Sequence, residues 1–494
     1  MKKVASGVTP VFQVQKNSPN SLYSQVYEGY RKAILDGTLR TGQRVPSTRV
    51  LALELGISRI TVMNAYAQLL SEGYFESRVG SGTVISSSLP ERVHPTRALP
   101  PSPSLNSRRR RISKRASNLS SAEAFYRSRG LGPFSSSQIG FEHFPLSLWN
   151  RLVNRHARNA GAKALDYGDP MGLKDLREAI AEYLRTARGV RCEARQIMIV
   201  SGSQHGLEIT TRVLLDPGDR VWMEEPGYRF ARNLFVGGGC TVVPVRVDEE
   251  GLNVAAGMKK CANARAVLVT PSHQYPLGVT MTASRRLQLL DWAETHGSWI
   301  IEDDYDSEYR YEGMPVTSLQ GLDRNSRVVY IGTFSKVLFP SLRLGYLVIP
   351  EDLVERFLAT RFAIDISPAT FQQAVLADFI REGHFARHIR RMRLVYAERR
   401  NTLIQNLREH FGSTLQVAGA EAGMHLSMLM NGIPDQEVSV RAAWEKLWLA
   451  PLSAFYMGKP AQQGFILGFG STSIEEMPAA VYKLKKLVRE CNAA

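Results

Sequence analysis

The chain has 494 residues, which is too many for one ordinary hydrophobic core and indicates two or more domains. Apolar residues make up 44% of it and charged residues 22%, which excludes a largely disordered chain. The formal net charge of +16 favours an anionic partner, with nucleic acid the leading candidate.

The cysteines and the apolar runs exclude several protein classes. Four cysteines lie far apart without a C-x-x-C pair, which disfavours a disulfide scaffold or a zinc ribbon and predicts a reduced, cytoplasmic setting. The polar-interrupted start MKKVASGVTPVF is a poor signal peptide. No run of about 20 apolar residues occurs, so no membrane-spanning segment or membrane partner is expected.

The positive charge is concentrated toward the N-terminus. Residues 1–129 hold 20 Lys and Arg against 7 Asp and Glu, a net of +13. Residues 130–494 hold 42 against 39, a net of +3. The excess therefore belongs to about a quarter of the chain, and any contact with nucleic acid is expected there.

Residues 20–86 follow an N-terminal tail, residues 1–19, and predict a small helical unit. Apolar residues recur every four positions in LYSQVYEGYRKAILDG, which predicts an amphipathic helix. Ser21 or Asn20 is its expected cap, and Gly37 its stop.

Two further helices and a hairpin are predicted in the same unit. The segment 47–56 forms a short helix ended by glycine, and Ser58 caps the segment RITVMNAYAQLLSEG, which gives a helix-turn-helix pattern. Segments 74–78 and 83–85 flank Val79–Gly82 as a two-stranded hairpin, or wing. The inward face of the third helix is expected to consist of Ile60, Met63, Tyr66, Leu69 and Leu70.

These pieces resemble the GntR-type winged helix-turn-helix. The matching strings VPSTRVLALELG, SRITV and RVGSGT occur in order over about 65 residues. The resemblance implies binding to double-stranded DNA, and an arginine at the start of the third helix can pair bidentately with guanine in the major groove. It places the following residues at the DNA: Arg49, Ser58, Arg59 and Thr61, with Gly80 and Ser81 on the wing.

The stretch 87–129 is predicted to be a basic linker rich in Pro, Ser and Arg. Five prolines precede the run Arg108–Arg111 and the pair Lys114-Arg115. Prolines remove hydrogen-bond donors and like charges repel, so neither a helix nor a packed core is expected. Two interpretations stay open, a solvated spacer or an arm that holds DNA phosphates without reading sequence.

Residues 130–494 alternate short apolar runs with helix-like segments, which predicts an α/β domain with a largely parallel sheet. Several runs lead directly into polar or Gly/Ser clusters, where ligands bind at the carboxyl ends of strands. The predicted strands are Ile197–Val200, Asp219–Met223, Cys240–Val245, Ala266–Val269, Trp299–Ile301, Val328–Ile331 and Leu344–Val348.

Two clusters after these strands carry charge and a nucleophile. Lys336 lies in Gly332–Lys336 with Arg343 beyond it, and a desolvated lysine beside positive charge becomes nucleophilic. The segment Val200–Gln204 runs into a helix, whose first amides form an anion cradle.

A third cluster is acidic. Strand alternation along 298–306 puts Asp303 and Tyr305 on one face, where a carboxylate and a phenol can meet one aromatic ring. It puts Glu302, Asp304 and Asp306 on the other face. A divalent-metal site built from the four acids is the competing interpretation.

Together the clusters resemble fold-type I pyridoxal-phosphate (PLP) enzymes of the aspartate aminotransferase group. The strings DYGDPMG, VWMEEPGYRFAR, TPSHQYPLG, EDDYDSEYRY and GTFSKVLFPSLRLGY carry the likeness over most of residues 140–490. Together with the GntR-like unit at residues 20–86, this likeness makes the whole chain resemble the MocR/GabR regulators.

The resemblance implies a role for each matching residue. Lys336 binds pyridoxal 5'-phosphate covalently, Asp303 keeps the pyridine nitrogen protonated, Tyr305 bonds the ring hydroxyl, and Tyr228 stacks on the ring. The resemblance also implies that the phosphate group of the cofactor is bound by five residues and by Tyr167 of the partner subunit. The five are Gly202, Ser203, Gln204, Thr333 and Arg343.

Two departures from the aminotransferase pattern bear on function. His273–Gly278 stands where aminotransferases carry Asn-Pro-x-Gly, so the asparagine contact is missing or replaced. The stretch Ile466–Phe469 lacks the arginine that binds a substrate carboxylate, and a buried carboxylate without that partner binds poorly. His384 and His388 lack a metalloprotease glutamate and are expected to be solvated helix residues, so no metal site is expected.

The leading hypothesis is a PLP-dependent, sequence-specific transcriptional regulator of the MocR/GabR type that forms a domain-swapped homodimer. Its effector is PLP itself, a small amine or an amino acid. The alternatives are an active aminotransferase with an accessory DNA-binding head, and a generic nucleoid protein that uses Arg108–Arg111.

Overall fold

A computed structural model of the chain describes residues 12–78, 82–87, 89, 112–119, 130, 132–136, 138–161, 166–313, 317–412 and 415–493. The chain divides into two compact units, residues 1–111, here called the head, and residues 112–494, here called the body. Among the described residues, no helix combines the length and apolar character needed to cross a bilayer.

The head contains three helices and a hairpin, as predicted. Serine side chains cap the three helices, because Ser21, Ser47 and Ser58 each accept a hydrogen bond from a backbone amide two or three residues later. Gly56, with φ +64°, ends the second helix and makes the tight turn into the third. The elements are α1 (Leu22–Leu35), α2 (Thr48–Leu55), α3 (Arg59–Ser71), β1 (Phe75–Arg78) and β2 (Gly82–Ile85).

Three aromatic rings form the centre of the head's core. Tyr30, Tyr66 and Phe75 pack edge to face with ring centroids 5.1–5.5 Å apart. The Tyr30 and Tyr66 hydroxyls lie 3.0 Å apart, and the Tyr66 hydroxyl donates to the Pro46 carbonyl at 3.0 Å. These bonds tie α1, α3 and the turn before α2 into one unit.

The predicted inward face of α3 is wrong at three positions. Tyr66 and Leu69 are buried, but Ile60 is 69% exposed, Met63 46% and Leu70 37%. The residues buried beside Tyr66 and Leu69 are Val62 and Ala65. Apolar residues occupy two faces of this helix, so periodicity alone did not select the packed one.

The core position Leu69 and its exposed neighbour Leu70 form a matched pair for a stability test. Leu69→Ala is expected to cost about 2–5 kcal/mol of opening free energy, because it leaves a cavity in a fully packed site. Leu70→Ala is expected to change it by no more than about 0.5 kcal/mol. Amide hydrogen exchange of peptides from residues 59–78 measures both, and equal effects would contradict this packing.

The body has a large sheet, a small sheet and helices around them. Its strands are β3 (Ile197–Val200), β4 (Arg220–Glu225), β5 (Thr241–Asp248), β6 (Gly251–Leu252), β7 (Ala266–Val269), β8 (Trp299–Asp304), β9 (Val328–Thr333), β10 (Gly345–Val348), β11 (Gln416–Ala418), β12 (His425–Leu429), β13 (Ala450–Pro451) and β14 (Gly464–Gly468). Its helices are α4 (Lys114–Ser117), α5 (Leu146–Arg158), α6 (Lys174–Ala187), α7 (Ser203–Leu214), α8 (Arg229–Gly238), α9 (Val254–Cys261), α10 (Ala283–His296), α11 (Leu319–Leu322), α12 (Val354–Asp365), α13 (Phe371–Arg381), α14 (His384–Phe411), α15 (Asp435–Trp444) and α16 (Met477–Ala493).

The large sheet has the order β3-β10-β9-β8-β7-β4-β5-β6. Strands β5, β4, β7, β8 and β9 run parallel, with register such as Val267 opposite Ile300, while β10 is antiparallel to both neighbours. The predicted largely parallel sheet is confirmed, and all seven predicted strands are present. The small antiparallel sheet has the order β11-β12-β14-β13.

Both faces of the large sheet are buried. Every residue of β3, β7, β9 and β10 is buried, which is why these strands are continuous apolar runs rather than alternating ones. Helices therefore cover both faces at these strands, whereas β5, near the edge of the sheet, is buried only at Val245.

One turn of helix occurs where the linker was predicted to have none. Ser113 accepts a hydrogen bond from the Ala116 amide at 3.1 Å and so caps α4, and the prediction is wrong at this turn. All the described linker residues between 112 and 119 are exposed. The arginine run Arg108–Arg111 lies outside the described residues.

Candidate functional site

The carboxyl ends of the parallel strands lie at one edge of the large sheet, and a cavity of about 480 Å³ lies at this edge. Loops after β4, β7, β8 and β9 supply its walls, and α7 begins beside it after β3. The cavity brings together eight of the predicted residues: Ser203, Gln204, Tyr228, Asp303, Tyr305, Thr333, Lys336 and Arg343.

One end of the cavity is built for an anion. Helix α7 begins at Ser203, and the amides of Ser203 and Gln204 precede its first hydrogen bond, which the His205 amide donates to the Gly202 carbonyl at 3.1 Å. Gly202 has φ +94°, and a Cβ there would lie 3.3 Å from the Arg343 guanidinium. Arg343 itself is left-handed, with φ +53°, and donates to the Ser201 carbonyl at 2.6 Å. Gly202 is thus not a lining residue, but it lets the arginine approach the start of the helix.

The carboxylates of the acidic strand β8 bind different partners in different directions. Glu302 accepts from the amides of Leu319 and Gln320, both at 2.9 Å. Asp304 forms a buried ion pair with Arg188 at 2.8 Å. The four acids therefore do not converge, and the competing four-acid metal site is wrong.

Asp306 does not lie where strand alternation predicted. Strand β8 ends at Asp304, so alternation does not extend to Asp306, which lines the cavity together with Asp303 and Tyr305. Its carboxylate contacts His273 Nδ1 at 3.1 Å. The face assignment of Asp306 was wrong for this reason.

Asp303 faces the cavity as a buried and incompletely satisfied carboxylate. Its Oδ1 has no hydrogen-bond partner in the described part of the chain. Burial, followed by the charges of Asp304, Glu224 and Asp306, raises the pKa of Asp303 to about 7. A buried carboxylate of this kind is costly to ionise unless a cation or donor meets it.

A buried histidine lies against Tyr305. The Tyr305 hydroxyl donates to the His273 carbonyl at 2.8 Å, and His273 Nε2 faces the Gly419 carbonyl at 3.3 Å. Both ring nitrogens of His273 lie near oxygen atoms, since its Nδ1 also contacts the Asp306 carboxylate at 3.1 Å. Although burial opposes it, Asp306 raises the pKa of His273.

His273, Asp306 and His425 place ligand atoms within 4.8 Å of one another. Within this group, His273 Nδ1 and the Asp306 carboxylate form a buried pair at 3.1 Å.

Tyr275 occupies the position that aminotransferases give to asparagine. It precedes Pro276, lines the cavity, and packs edge to face against Tyr228 with centroids 6.0 Å apart. A phenol ring therefore stands in the cavity wall at the position of that asparagine.

Two other predicted positions lie away from the cavity. Tyr167 is 77% exposed and is not among the lining residues of its own chain. His388 is buried rather than solvated, and its Nε2 lies 3.0 Å from the Val337 carbonyl, so the prediction of a solvated residue was wrong. Burial lowers the pKa of His388 to about 4.

The predicted DNA-contacting residues cluster at the start of α2 and α3. Arg49, Ser58 and Arg59 are exposed and Thr61 is half-buried. Arg59 Nε lies 3.5 Å from the Thr48 hydroxyl, which places the two helix N-termini side by side. Gly80 and Ser81 lie outside the described residues.

Sequence reasoning missed part of the cavity wall. Thr270 follows β7 directly and Ser335 precedes Lys336, so both positions carried a signal. Phe230 and Pro340 lie inside the strings VWMEEPGYRFAR and GTFSKVLFPSLRLGY, close to predicted residues. Nothing in the local sequence marked the remaining three, which come from distant parts of the chain: Ser136, Met424 and His425.

Comparison with known proteins identifies relatives of both units. Residues 134–464 match the class I and II aminotransferases, and residues 22–85 match the gntR family of bacterial regulatory proteins. The chain is 40% identical over 467 residues to the probable rhizopine catabolism regulatory protein MocR of Rhizobium meliloti, covering 94% of this chain and 93% of that protein. It is 34% identical over 463 residues to the pyridoxine biosynthesis regulator PdxR of Corynebacterium glutamicum, covering 92% and 93%.

Solved structures match the body. The kynurenine aminotransferase of Pyrococcus horikoshii, crystallised with PMP, superimposes with a TM-score of 0.72 at 27% identity, covering 78% of this chain and 98% of that one. The alpha-aminoadipate aminotransferase LysN of Thermus thermophilus, crystallised with a phosphopyridoxyl-leucine adduct, gives 0.71 at 24%.

The cavity fits pyridoxal phosphate, the cofactor of this fold. Asp303 Oδ1 is a buried acceptor without a partner, which suits a protonated pyridine nitrogen. The start of α7 and Arg343 suit a phosphate, and Lys336 lies in the same cavity.

The pKa of Asp303 predicts how the stability of the cofactor-free body changes with pH. Since its pKa is 3.8 when unperturbed and about 7 here, the folded state binds the extra proton and loses relative stability as pH rises between about 4 and 7. Asp303→Asn has no carboxyl group to ionise, so its folding stability is expected to fall by on the order of 3 kcal/mol less than that of wild type over this pH range.

Tryptophan fluorescence measures this unfolding, because all six tryptophans lie in the body. Asp291→Asn, at an exposed acid, is the control and is expected to leave the pH profile unchanged. Parallel profiles for wild type and Asp303→Asn would contradict the assignment.

Proposed function

The chain belongs to the MocR-type transcriptional regulators, which join a GntR-type head to an aminotransferase-like body, and from that membership we propose what each unit recognises. The head binds a specific double-stranded operator. The body holds PLP and senses a small ligand, either PLP itself or an amine-bearing effector. The observation that carries the proposal is the unpaired Asp303 carboxylate in one cavity with Lys336 and Arg343, in a chain that also has a helix-turn-helix.

Each end of the cavity has a distinct task in this proposal. Arg343 and the first turn of α7, including Ser203 and Gln204, bind the phosphate, while Thr333 supports it from the end of β9. Gln204 has a buried Nε2 without a partner in the described chain, which suits a donor to that group.

The remaining residues orient and activate the cofactor ring. Asp303 holds the proton on the ring nitrogen, Tyr305 bonds the ring hydroxyl, and Tyr228 lies against the ring face. When bound, PLP supplies a carbonyl that reacts with amines and a ring that accepts electrons. Lys336 would hold the cofactor at that carbonyl, with loss of water, and an effector amine would compete for the same carbon.

We also propose that the working form is a domain-swapped homodimer. Tyr167 is exposed in its own chain and is free to reach the phosphate site of a partner subunit. A twofold dimer also presents two heads to repeated half-sites in DNA. Ligand binding then shifts the equilibrium between arrangements of the heads, which requires different affinities for the two states.

Aminotransferase turnover is a second candidate activity. Lys336, Asp303 and Tyr305 meet in one cavity, which is the minimum for that chemistry. The absence of an arginine at Ile466 disfavours amino-acid substrates and makes regulation the main role.

The covalent role of Lys336 can be tested by absorbance. Purified protein with PLP is expected to show a visible band that Lys336→Ala abolishes, because alanine cannot bond the cofactor carbonyl. Lys459→Ala, at an exposed lysine of the body, is the control and retains the band. A wild-type protein that never acquires the band would refute cofactor binding.

Arg59 is the test of sequence reading by the head. Arg59→Ala is expected to weaken binding to a selected genomic operator by about 1–3 kcal/mol and to reduce discrimination against scrambled DNA. Lys32→Ala removes an exposed charge elsewhere in the head and is expected to preserve discrimination. Fluorescence anisotropy at fixed salt measures both, and equal wild-type affinity for operator and scrambled DNA contradicts sequence-specific binding.

A further inference from the structure

The charges of the cavity are already matched before any effector enters. Its charged lining residues in the described chain are Lys336, Arg343, Asp303 and Asp306. The first three are assigned to the cofactor, and Asp306 is paired with the buried His273 at 3.1 Å. No described lining cation is left over for a carboxylate on an effector.

The position of the missing arginine is filled by apolar packing. Ile466 is fully buried in β14 and lies opposite Ser427 of the neighbouring strand β12. Two residues before Ser427, at the start of β12, His425 reaches the cavity wall. The strand pair that would carry a carboxylate-binding arginine therefore presents an imidazole to the cavity.

The hydrogen bonds of His425 define what it can offer. Its Nε2 lies 3.2 Å from the Pro276 carbonyl, which also accepts from the Ser427 hydroxyl at 2.7 Å. A carbonyl accepts only, so Nε2 carries the proton and Nδ1 is the remaining acceptor. Burial, followed by the charges of His273 and Lys336, holds the pKa of His425 well below its usual value, so the ring is neutral.

The charged groups near His425 already have partners or assigned roles. Its ring lies 4.6 Å from that of His273, which pairs with Asp306, and Lys336 is assigned to the cofactor. The His425 ring lies 5.3 Å from that of Tyr275, and Ser136, Tyr275 and Met424 line the same cavity. Hydroxyl and imidazole groups here can exchange hydrogen bonds with a neutral polar ligand. A carboxylate placed among them would be desolvated without a cation.

We propose that His425 determines effector specificity, selecting a primary amine whose body bears neutral hydrogen-bond donors such as hydroxyls and rejecting amines that bear a carboxylate. The inference rests on the proposed function, because the amine is taken to react at the cofactor bound to Lys336. It narrows that function from any amine or amino acid to one chemical class.

The test uses the full-length protein with bound PLP and a matched pair of amines. The probes 2-amino-1,3-propanediol and serine differ only in a hydroxymethyl group against a carboxylate. Titration of the cofactor absorbance is expected to give at least about tenfold tighter binding of the diol, since an unpaired buried carboxylate costs more than a lost neutral hydrogen bond. Equal binding, tighter binding of serine, or no response to either amine overturns the proposal.

Variants assign the selectivity to the side chain. His425→Phe is expected to weaken binding of the diol about tenfold or less, because one neutral hydrogen bond is lost, while His425→Gln keeps a neutral acceptor and most of the affinity. His425→Arg is expected to reverse the preference toward serine. An unchanged preference in His425→Phe and His425→Arg overturns the role of His425.

Failure of this inference is distinguishable from failure of the proposed function. The cofactor band without added amine reports PLP binding, and its presence in each variant shows that the body has folded. A protein that keeps the band and binds operator DNA but prefers serine retains the proposed function and loses only the inference.

Discussion

The carboxylate of Asp303 is the constraint around which the body is organised. It is buried at the end of β8, one of its oxygens has no partner among the described residues, and burial raises its pKa to about 7. An unpaired buried carboxylate costs folding free energy when it is ionised, and a cationic partner bound in the cavity would offset that cost. The parallel sheet places Lys336 and Arg343 within the same cavity. Asp303 and these two cations thus match the nitrogen, carbonyl and phosphate of one cofactor.

The two anionic partners are recognised by different physics. The net charge of +13 in residues 1–129 favours long-range attraction to DNA, and in the proposed function Arg59 at the start of α3 is the base-reading group. Residues 130–494 carry a net charge of only +3, and the start of α7 with Arg343 forms the proposed site for the cofactor phosphate. Composition therefore located the DNA-binding end and carried no information about the cofactor.

Much of the fold and site could be predicted from the sequence, because the informative patterns are local. Serine caps and Gly56 fixed the head helices, and buried β-branched runs fixed the strands. The predictions were wrong where a helix has apolar residues on two faces and where a strand ends earlier than its pattern suggested. Ile60 and Met63 gave α3 a second apolar face, and β8 stopped before Asp306. His425 reaches the cavity from the small sheet, and no local pattern encodes that approach.

The most direct measurement of the central claim is sequencing of genomic DNA fragments retained by the full-length protein with PLP and after its removal. A PLP-dependent regulator of this type is expected to retain fragments that share a repeated half-site motif, and removal of PLP is expected to change which fragments are retained or how tightly. Fragments without a common motif, retained equally in both states, would contradict a PLP-dependent regulator that reads sequence.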